Sequence, residues 1–348
     1  MQAAIPTQTS TARTALVQFP LDMGEAPAAV SAHERTGLAL GRDYALHGIT
    51  PPIAHLYPQS PLQRGWMAAR GKAVRTPATP QIELWLSLRT HAWTRGRSFE
   101  DIQLTPHHLA QLDVTHCPIT RELLAEDNRS IDRVRNDAGY AAGNLAVISR
   151  RANRAKGSHG QRALADLAAS CAAGPITRMG GLAEADWERL AVLTSFVTPM
   201  SHEDAARIPL RVLPPNRLRL FNPVQALQAF VTRQLATPGW SARLSRLEAL
   251  LPTDSLRSDF NRFLLALAPR VLAAAELQEA HQIRWALEDA WALPLVQKRW
   301  THFALQLAPE QAEALVERAA AKKLSPVHVQ RHEDATEGWA LATGGYTA

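Results

Sequence analysis

The sequence predicts a mainly α-helical protein with an extended Pro-rich N-terminal arm, a small unit of two strands and a helix, and an all-helical C-terminal domain. Three observations carry this. Pro51, Pro52, Pro58, Pro61, Pro77 and Pro80 interrupt any periodicity over residues 1–80, because proline lacks an amide hydrogen and clashes with the preceding turn. Residues 114–157 hold short apolar stretches around a turn-rich loop, which suits strands. Beyond about residue 160, Ala and Leu recur at helical spacing.

Taken in order, residues 1–80 read as a partly irregular arm, with short helices expected near Ala28–Leu40. Residues 81–97 place Ile82, Trp85, Leu86 and Trp93 at near-helical spacing. Thr105-Pro106 supplies a cap followed by proline at the first helical position, starting a helix that runs to about Leu112. Leu145–Ile148 is a strand. Arg150–Lys156 is a short helix with Ser149 as cap and Gly157 as stop. Helices are then expected at 161–172, 182–197, 223–236, 240–251, 255–267, 270–292, 295–307 and 309–323. Asn222-Pro223 and Ala308-Pro309 mark two of their starts. Trp187, Leu190 and Leu193 form one apolar face, and Phe260, Phe263, Leu264 and Leu267 another, all expected in the core. Pro199–Pro215 reads as a connection. The expected divisions are 1–80, 81–160, 161–325 and a loose tail at 326–348.

Composition excludes several classes. With 46% hydrophobic and 20% charged residues, the chain can bury a core and is not wholly disordered. No apolar run approaches the roughly 18 residues that cross a bilayer. The N-terminal residues show no charged segment followed by an apolar one, so no secretory signal is read. Two cysteines, Cys117 and Cys171, make neither a disulfide framework nor a four-cysteine zinc site. A reducing cytoplasm is therefore the expected compartment.

The net charge of +6 is unevenly placed. Arg64–Arg97 holds seven basic residues against Glu83 alone, and Arg121–Arg162 holds nine against five acids. The remainder of the chain is close to −4. Clustered Arg and Lys suit a polyanion, because they displace counterions from phosphates. The partner expected from charge is nucleic acid, and with no apolar run long enough to span a bilayer no membrane is expected.

The informative segment runs from Cys117-Pro-Ile-Thr120 through Ile131-Asp132-Arg133 and Gly139-Tyr-Ala-Ala-Gly-Asn144 to the apolar strand and Asn153-Arg-Ala-Lys156. Over Thr115–Ser158, about an eighth of the chain, it resembles the HNH endonucleases, also called ββα-metal or His-Me finger nucleases. The resemblance implies two strands and a helix folded onto one another. It implies Asp132 and Asn153 as metal ligands, with Asn144 bracing the loop and orienting the catalytic base. A carboxylate and an amide oxygen are hard ligands suited to Mg²⁺ or another divalent cation. Such an ion would neutralise a scissile phosphate during phosphodiester hydrolysis. Arg133, Arg135, Arg150, Arg151, Arg154 and Lys156 would face the nucleic acid.

The pattern departs from the family at one position. Active members carry histidine after the metal-binding Asp, where this chain has Arg133. An arginine stays protonated and accepts no proton from water, and loss of a general base costs roughly two to four orders of magnitude in rate. His116 and His159 are the neighbouring histidines that could replace it. Each residue also has a plainer reading: Asp132 paired with Arg133 or Arg135, Asn144 as a turn residue, Asn153 on a polar helix face. Structural zinc is not expected, since Cys171 stands 54 residues from Cys117. Three functions follow in order: a metal-dependent endonuclease, a catalytically degenerate relative that binds DNA or protein, and an interaction protein whose helical half carries the activity.

Overall fold

The computed structural model describes residues 31–72 and 77–322, together with two short strands at 330–332 and 345–347. The expectations for residues 1–30 and for most of the 326–348 tail lie outside the described residues. The chain begins with α1 (Ala32–Leu46), a 3₁₀ turn at Ile53–His55, α2 (Pro61–Ala69), α3 (Pro80–Thr94) and α4 (Pro106–Gln111). Strands β1 (Arg129–Arg133) and β2 (Leu145–Ser149) lead into α5 (Arg150–Lys156) and α6 (Gln161–Ala173). Two-residue strands β3 (Arg178–Met179) and β4 (Leu182–Ala183) precede α7 (Glu184–Ser195), α8 (His202–Arg207) and β5 (Arg219–Leu220). The rest is α9 (Pro223–Leu235), α10 (Trp240–Glu248), α11 (Asp254–Ala274), α12 (Ala280–Ala290), α13 (Pro294–Gln306), α14 (Pro309–Ala321), β6 (Gln330–His332) and β7 (Gly345–Thr347). The protein is mainly helical, as the sequence predicts.

Over residues 31–72 the expected extended arm is instead a helix pair. Ser60 caps α2, its hydroxyl accepting from Gln63 N, and Pro61 sits at the first helical position. Thr79-Pro80 does the same for α3. The prolines thus start helices rather than break them. Leu40, Tyr44, Leu62, Ile82, Leu86 and Trp93 form a separate apolar cluster that clamps α1 and α2 onto one side of α3. Tyr44 Oη lies 2.9 Å from Thr90 Oγ1, and Trp93 Nε1 donates to His33 O at 2.9 Å.

The second core is continuous. Cys117, Ile119, Val134, Leu145 and Ile148 belong to the same buried cluster as Trp187, Phe230 and Trp300. The expected division at residue 160 therefore does not coincide with a break in packing. Helix α9 is buried on nearly every side, as a helix apolar all round should be. Around it Phe263, Trp291 and Trp300 meet with ring centroids 5.2–5.4 Å apart. The predicted core faces are buried, with Leu264 partly so.

Three expectations are corrected in detail. Helix α11 runs through Pro269 rather than ending near 267, because Pro269 faces solvent and the carbonyl it leaves unpaired, on exposed Leu265, can reach water. The expected 270–292 helix is split, its residues up to Ala274 ending α11 and Ala280–Ala290 forming α12, with a turn between them. The 199–215 connection contains α8 and buries Leu210, Val212 and Leu213.

Gly41 and Gly65 let α1 and α2 meet backbone to backbone. A Cβ on Gly65 would lie 2.1 Å from Leu38 O, and one on Gly41 2.0 Å from Leu62 O. Gly65→Ala is expected to cost roughly 1–3 kcal/mol by overpacking. The loss should appear as faster hydrogen exchange across α1, with exchange in α9 unchanged.

Candidate functional site

β1 and β2 pair antiparallel, with Asp132 opposite Ala146 and Ile131 opposite Val147. All five residues of β2 are buried, and it passes directly into α5. Ser149 Oγ accepts from Ala152 N at 3.2 Å, and Gly157, with φ +50, closes the helix. Cys117 holds this junction: its Sγ accepts from Ser149 N at 3.2 Å and from Thr120 N at 3.4 Å. The thiol is free and fully buried, and its work is done by sulfur as a weak acceptor.

Asn144 is fully buried and both ends of its amide are used. Its Oδ1 accepts from Arg135 N at 2.9 Å, while Nδ2 donates to Gly139 O at 2.9 Å and Arg135 O at 3.1 Å. It therefore braces the loop between the strands and presents nothing to a substrate. Gly143 takes φ +87 and gives β5 close access: a Cβ there would lie 2.9 Å from Arg219 Cβ. Gly139, the other glycine of the loop, does not have positive φ.

The central geometry is a pair of links from α5 to one face of β1. Residues i and i+3 on a helix lie on one face, as do i and i+2 on a strand. Asn153 and Lys156 therefore meet Ser130 and Asp132 in parallel. Asn153 Nδ2 donates to Ser130 Oγ at 2.7 Å. Lys156 Nζ lies 3.1 Å from Asp132 Oδ1 and 3.0 Å from Oδ2, and it also donates to Arg133 O at 2.9 Å and Asn136 Oδ1 at 3.2 Å. Lys156 is fully buried and Asp132 is 5% exposed. Only Oδ1 receives a hydrogen bond; Oδ2 is buried without one and is held by charge alone. Burial raises the carboxyl pKa of Asp132, opposed by Lys156 and Arg133.

The cationic residues separate into distinct roles. Lys156, expected to face nucleic acid, points inward as the counter-ion of Asp132. Arg133 Nη1 donates to Asn136 O and Ala138 O at 3.0 and 2.9 Å, and its guanidinium stands 5.3 Å from the Tyr140 ring centroid. Arg135 pairs with Asp137 at 3.5 Å and lies against Phe221. Arg151 is exposed but bridged to Glu122 at 3.2 Å. Arg150 and Arg154 are exposed, and neither meets a carboxylate among the described residues.

A cleft of about 490 Å³ opens between α3 and this unit. One wall is an α3 stripe of Leu84, Ser87, Leu88, His91 and Arg95; the other includes Ser130, Asp132, Arg133, Asn136, Tyr140 and Asn153. Backbone bonds from Tyr140 N to Ser98 O and from Glu100 N to Tyr140 O, both 2.9 Å, strap the end of α3 to the loop. The His91 ring packs edge-on to Tyr140 at 6.2 Å. Burial first, then Arg95 and Arg133, lower its pKa, so the imidazole is neutral at pH 7 and able to accept a proton.

His91 is not legible from the sequence as a cleft residue, because the histidines near the motif are His116 and His159. Neither lines the cleft. His116 stacks on His281, with centroids 4.1 Å apart, beside Trp285. His159 lies just beyond α5, its carbonyl accepting from Asn136 Nδ2 at 3.4 Å. The α3 stripe, at spacings of three to four residues, is the sequence signal that could have found His91.

Asp132 and Asn153 thus line one cleft, but each already has its own partner. A divalent ion does not fit while Lys156 keeps its place, because the ammonium already stands beside both oxygens of the single carboxylate. Among the described residues no group of three or more His, Cys, Asp or Glu could hold a metal.

Lys156→Ala leaves a buried carboxylate without its cation. We expect a loss of roughly 3–5 kcal/mol at neutral pH, measured by urea unfolding. Without the lysine, the folded-state pKa of Asp132 rises further above its unfolded value. Folding then takes up a proton, so the deficit should shrink as pH falls through the carboxylate range. The paired change Asp132→Asn with Lys156→Met should restore much of the loss. Comparison with protein families, with curated proteins and with solved structures returns no match for this chain.

Proposed function

We propose that this chain is a nucleic-acid-binding protein built on an HNH-like ββα unit, in which Lys156 holds the place that the family resemblance gives to a divalent cation. The observation that carries this is the ammonium of Lys156 on both oxygens of Asp132. Displacing it would move a fully buried lysine into water and reopen its bonds to Arg133 O and Asn136 Oδ1. The cation at this site is therefore part of the chain, and phosphate binding falls to the exposed arginines of α5 and the arginine at the end of α3.

Binding on this reading is electrostatic and independent of metal. Affinity for a DNA oligomer should fall steeply with salt and be unchanged by EDTA. Replacing Arg150 and Arg154 by Ala should make the plot of log K against log salt shallower on duplex DNA. The slope should change by about 0.9 for each phosphate that the variant no longer neutralises. A flat salt response, or binding abolished by EDTA, would refute the reading.

The metal-dependent endonuclease is the second reading. It is favoured by Asp132, Asn153 and His91 lining one cleft. It requires Lys156 to leave Asp132. It predicts weak nicking of plasmid DNA with Mg²⁺ or Mn²⁺, abolished in Asp132→Ala and Asn153→Ala. Equal nicking by those variants would point to a contaminating nuclease.

A further inference from the structure

We propose that the cleft between α3 and β1 holds one unpaired nucleotide of a nucleic-acid strand, its phosphate on Arg95 and His91 and its base against Leu84 and Leu88. The inference rests on the nucleic-acid reading above and names the ligand that the cleft takes. The shape of the cleft suits an unpaired strand. A paired duplex presents a convex backbone, which exposed Arg150 and Arg154 on α5 can meet; neither lines the cleft. A concave space of about 490 Å³ is instead of small-ligand size, within the roughly 300–1,000 Å³ of such pockets.

Its charge suits a phosphate. Arg95 makes no ion pair or hydrogen bond through its side chain among the described residues, and the side chain of His91 makes no hydrogen bond among them. Arg133 adds positive potential from the opposite wall. Asp132 is the acidic residue of the lining, and Lys156 neutralises it from beneath. The cleft that a carboxylate would otherwise close to phosphate is thereby opened to one. A guanidinium and an imidazole with unspent donors suit phosphate oxygens.

Polar and apolar groups are also ordered along α3. Arg95 and His91 stand at one end of the stripe. Leu84, 37% exposed, and Leu88 stand at the other. Leu84 lies roughly 10 Å from His91 along the helix axis, by the 1.5 Å rise per residue. A nucleotide has the same order of parts, an anionic end and a flat apolar-faced end. Unpaired bases offer that face to protein side chains, whereas paired ones keep it in the stack.

The groups facing His91 are Arg95 at the end of its own helix, Arg133 on β1, Tyr140 on the loop and Asp132 in the lining, with Lys156 buried beneath it. Its imidazole is neutral in the free protein at pH 7. A bound phosphate favours the protonated form, so binding takes up a proton and tightens as pH falls.

Fluorescence anisotropy with the whole chain tests this, using a single-stranded DNA oligomer and a blunt duplex of the same sequence. The expected result is at least about ten-fold tighter binding of the single strand, the value of about 1.4 kcal/mol of cleft contacts. Arg95→Ala and His91→Ala should each erode that preference, weakening the single strand more than the duplex. Arg154→Ala should weaken both substrates together. Between about pH 7.5 and pH 5.5 the preference should grow in the parent chain and stay flat in His91→Ala, a readout that loss of folding would not mimic. Equal affinity for the two DNAs, or a preference that survives both α3 substitutions, overturns the cleft assignment and leaves the nucleic-acid reading standing. Absence of salt-dependent binding to either DNA overturns both.

Discussion

A buried ammonium against a buried carboxylate sets the angle between α5 and β1. Neither ion could remain there alone. Removing a charge from water costs several kcal/mol even after relaxation, and only a close partner with further hydrogen bonds offsets it. Lys156 meets those terms with Asp132, Arg133 O and Asn136 Oδ1. The link also specifies register. Asn153 reaches Ser130 only because Lys156, one turn on, reaches Asp132 two residues along the strand. A slip of β1 by one residue would turn Asp132 to its other face and leave both helix groups unpaired.

From that joint the rest of the site is positioned in two steps. Asn144 ties the loop to itself, and the loop's Tyr140 is strapped to residues 98–100 at the end of α3. Helix α3 is held from its other side by α1 and α2, through Leu40, Leu62 and Trp93. The N-terminal helix pair therefore acts on the cleft without touching it. On the far side, Arg121 joins the unit to the helical half. It meets Asp289 through two bonds of 2.7 Å, beside Glu288, which is 1% exposed. Arg189 Nη1 donates to Ile119 O at 2.9 Å across the same junction. The helical half supports the unit through one continuous core.

Much of this is legible in the residues, and the exceptions have a common cause. The bounds of α5, its Ser149 cap and its Gly157 stop are local properties, and local chemistry determines them. The same holds for β2 and for the bracing amide of Asn144. The direction of Lys156 is not local. Helical spacing places it on the face of Asn153 but does not say that this face is inward, and lysine is rarely buried unless paired. His91 is hidden for a similar reason. It stands 41 residues before Asp132, and the two walls meet through the strap from 98–100 to Tyr140 and the packing of Ala92 and Leu88 on the shared core. In the arm, proline itself misleads. Ser60-Pro61 and Thr79-Pro80 carry the cap-and-proline signal of Thr105-Pro106, but the density of prolines around them suggests breakage rather than starts.

The lysine and the arginine at positions 156 and 133 belong to one physical argument. A site that uses a divalent ion needs an exposed carboxylate and a neutral base beside it. Here the carboxylate is buried and neutralised, and the residue beside it is a permanent cation. Either residue alone would damage a metal site: Arg133 repels a dication, and Lys156 occupies its ligand. Together they are consistent, because both add fixed positive charge around the cleft while removing the need for a mobile one. The neutral imidazole of His91 on the facing helix then meets a floor whose potential is already positive. Such a surface favours an anion whether or not a divalent ion is present.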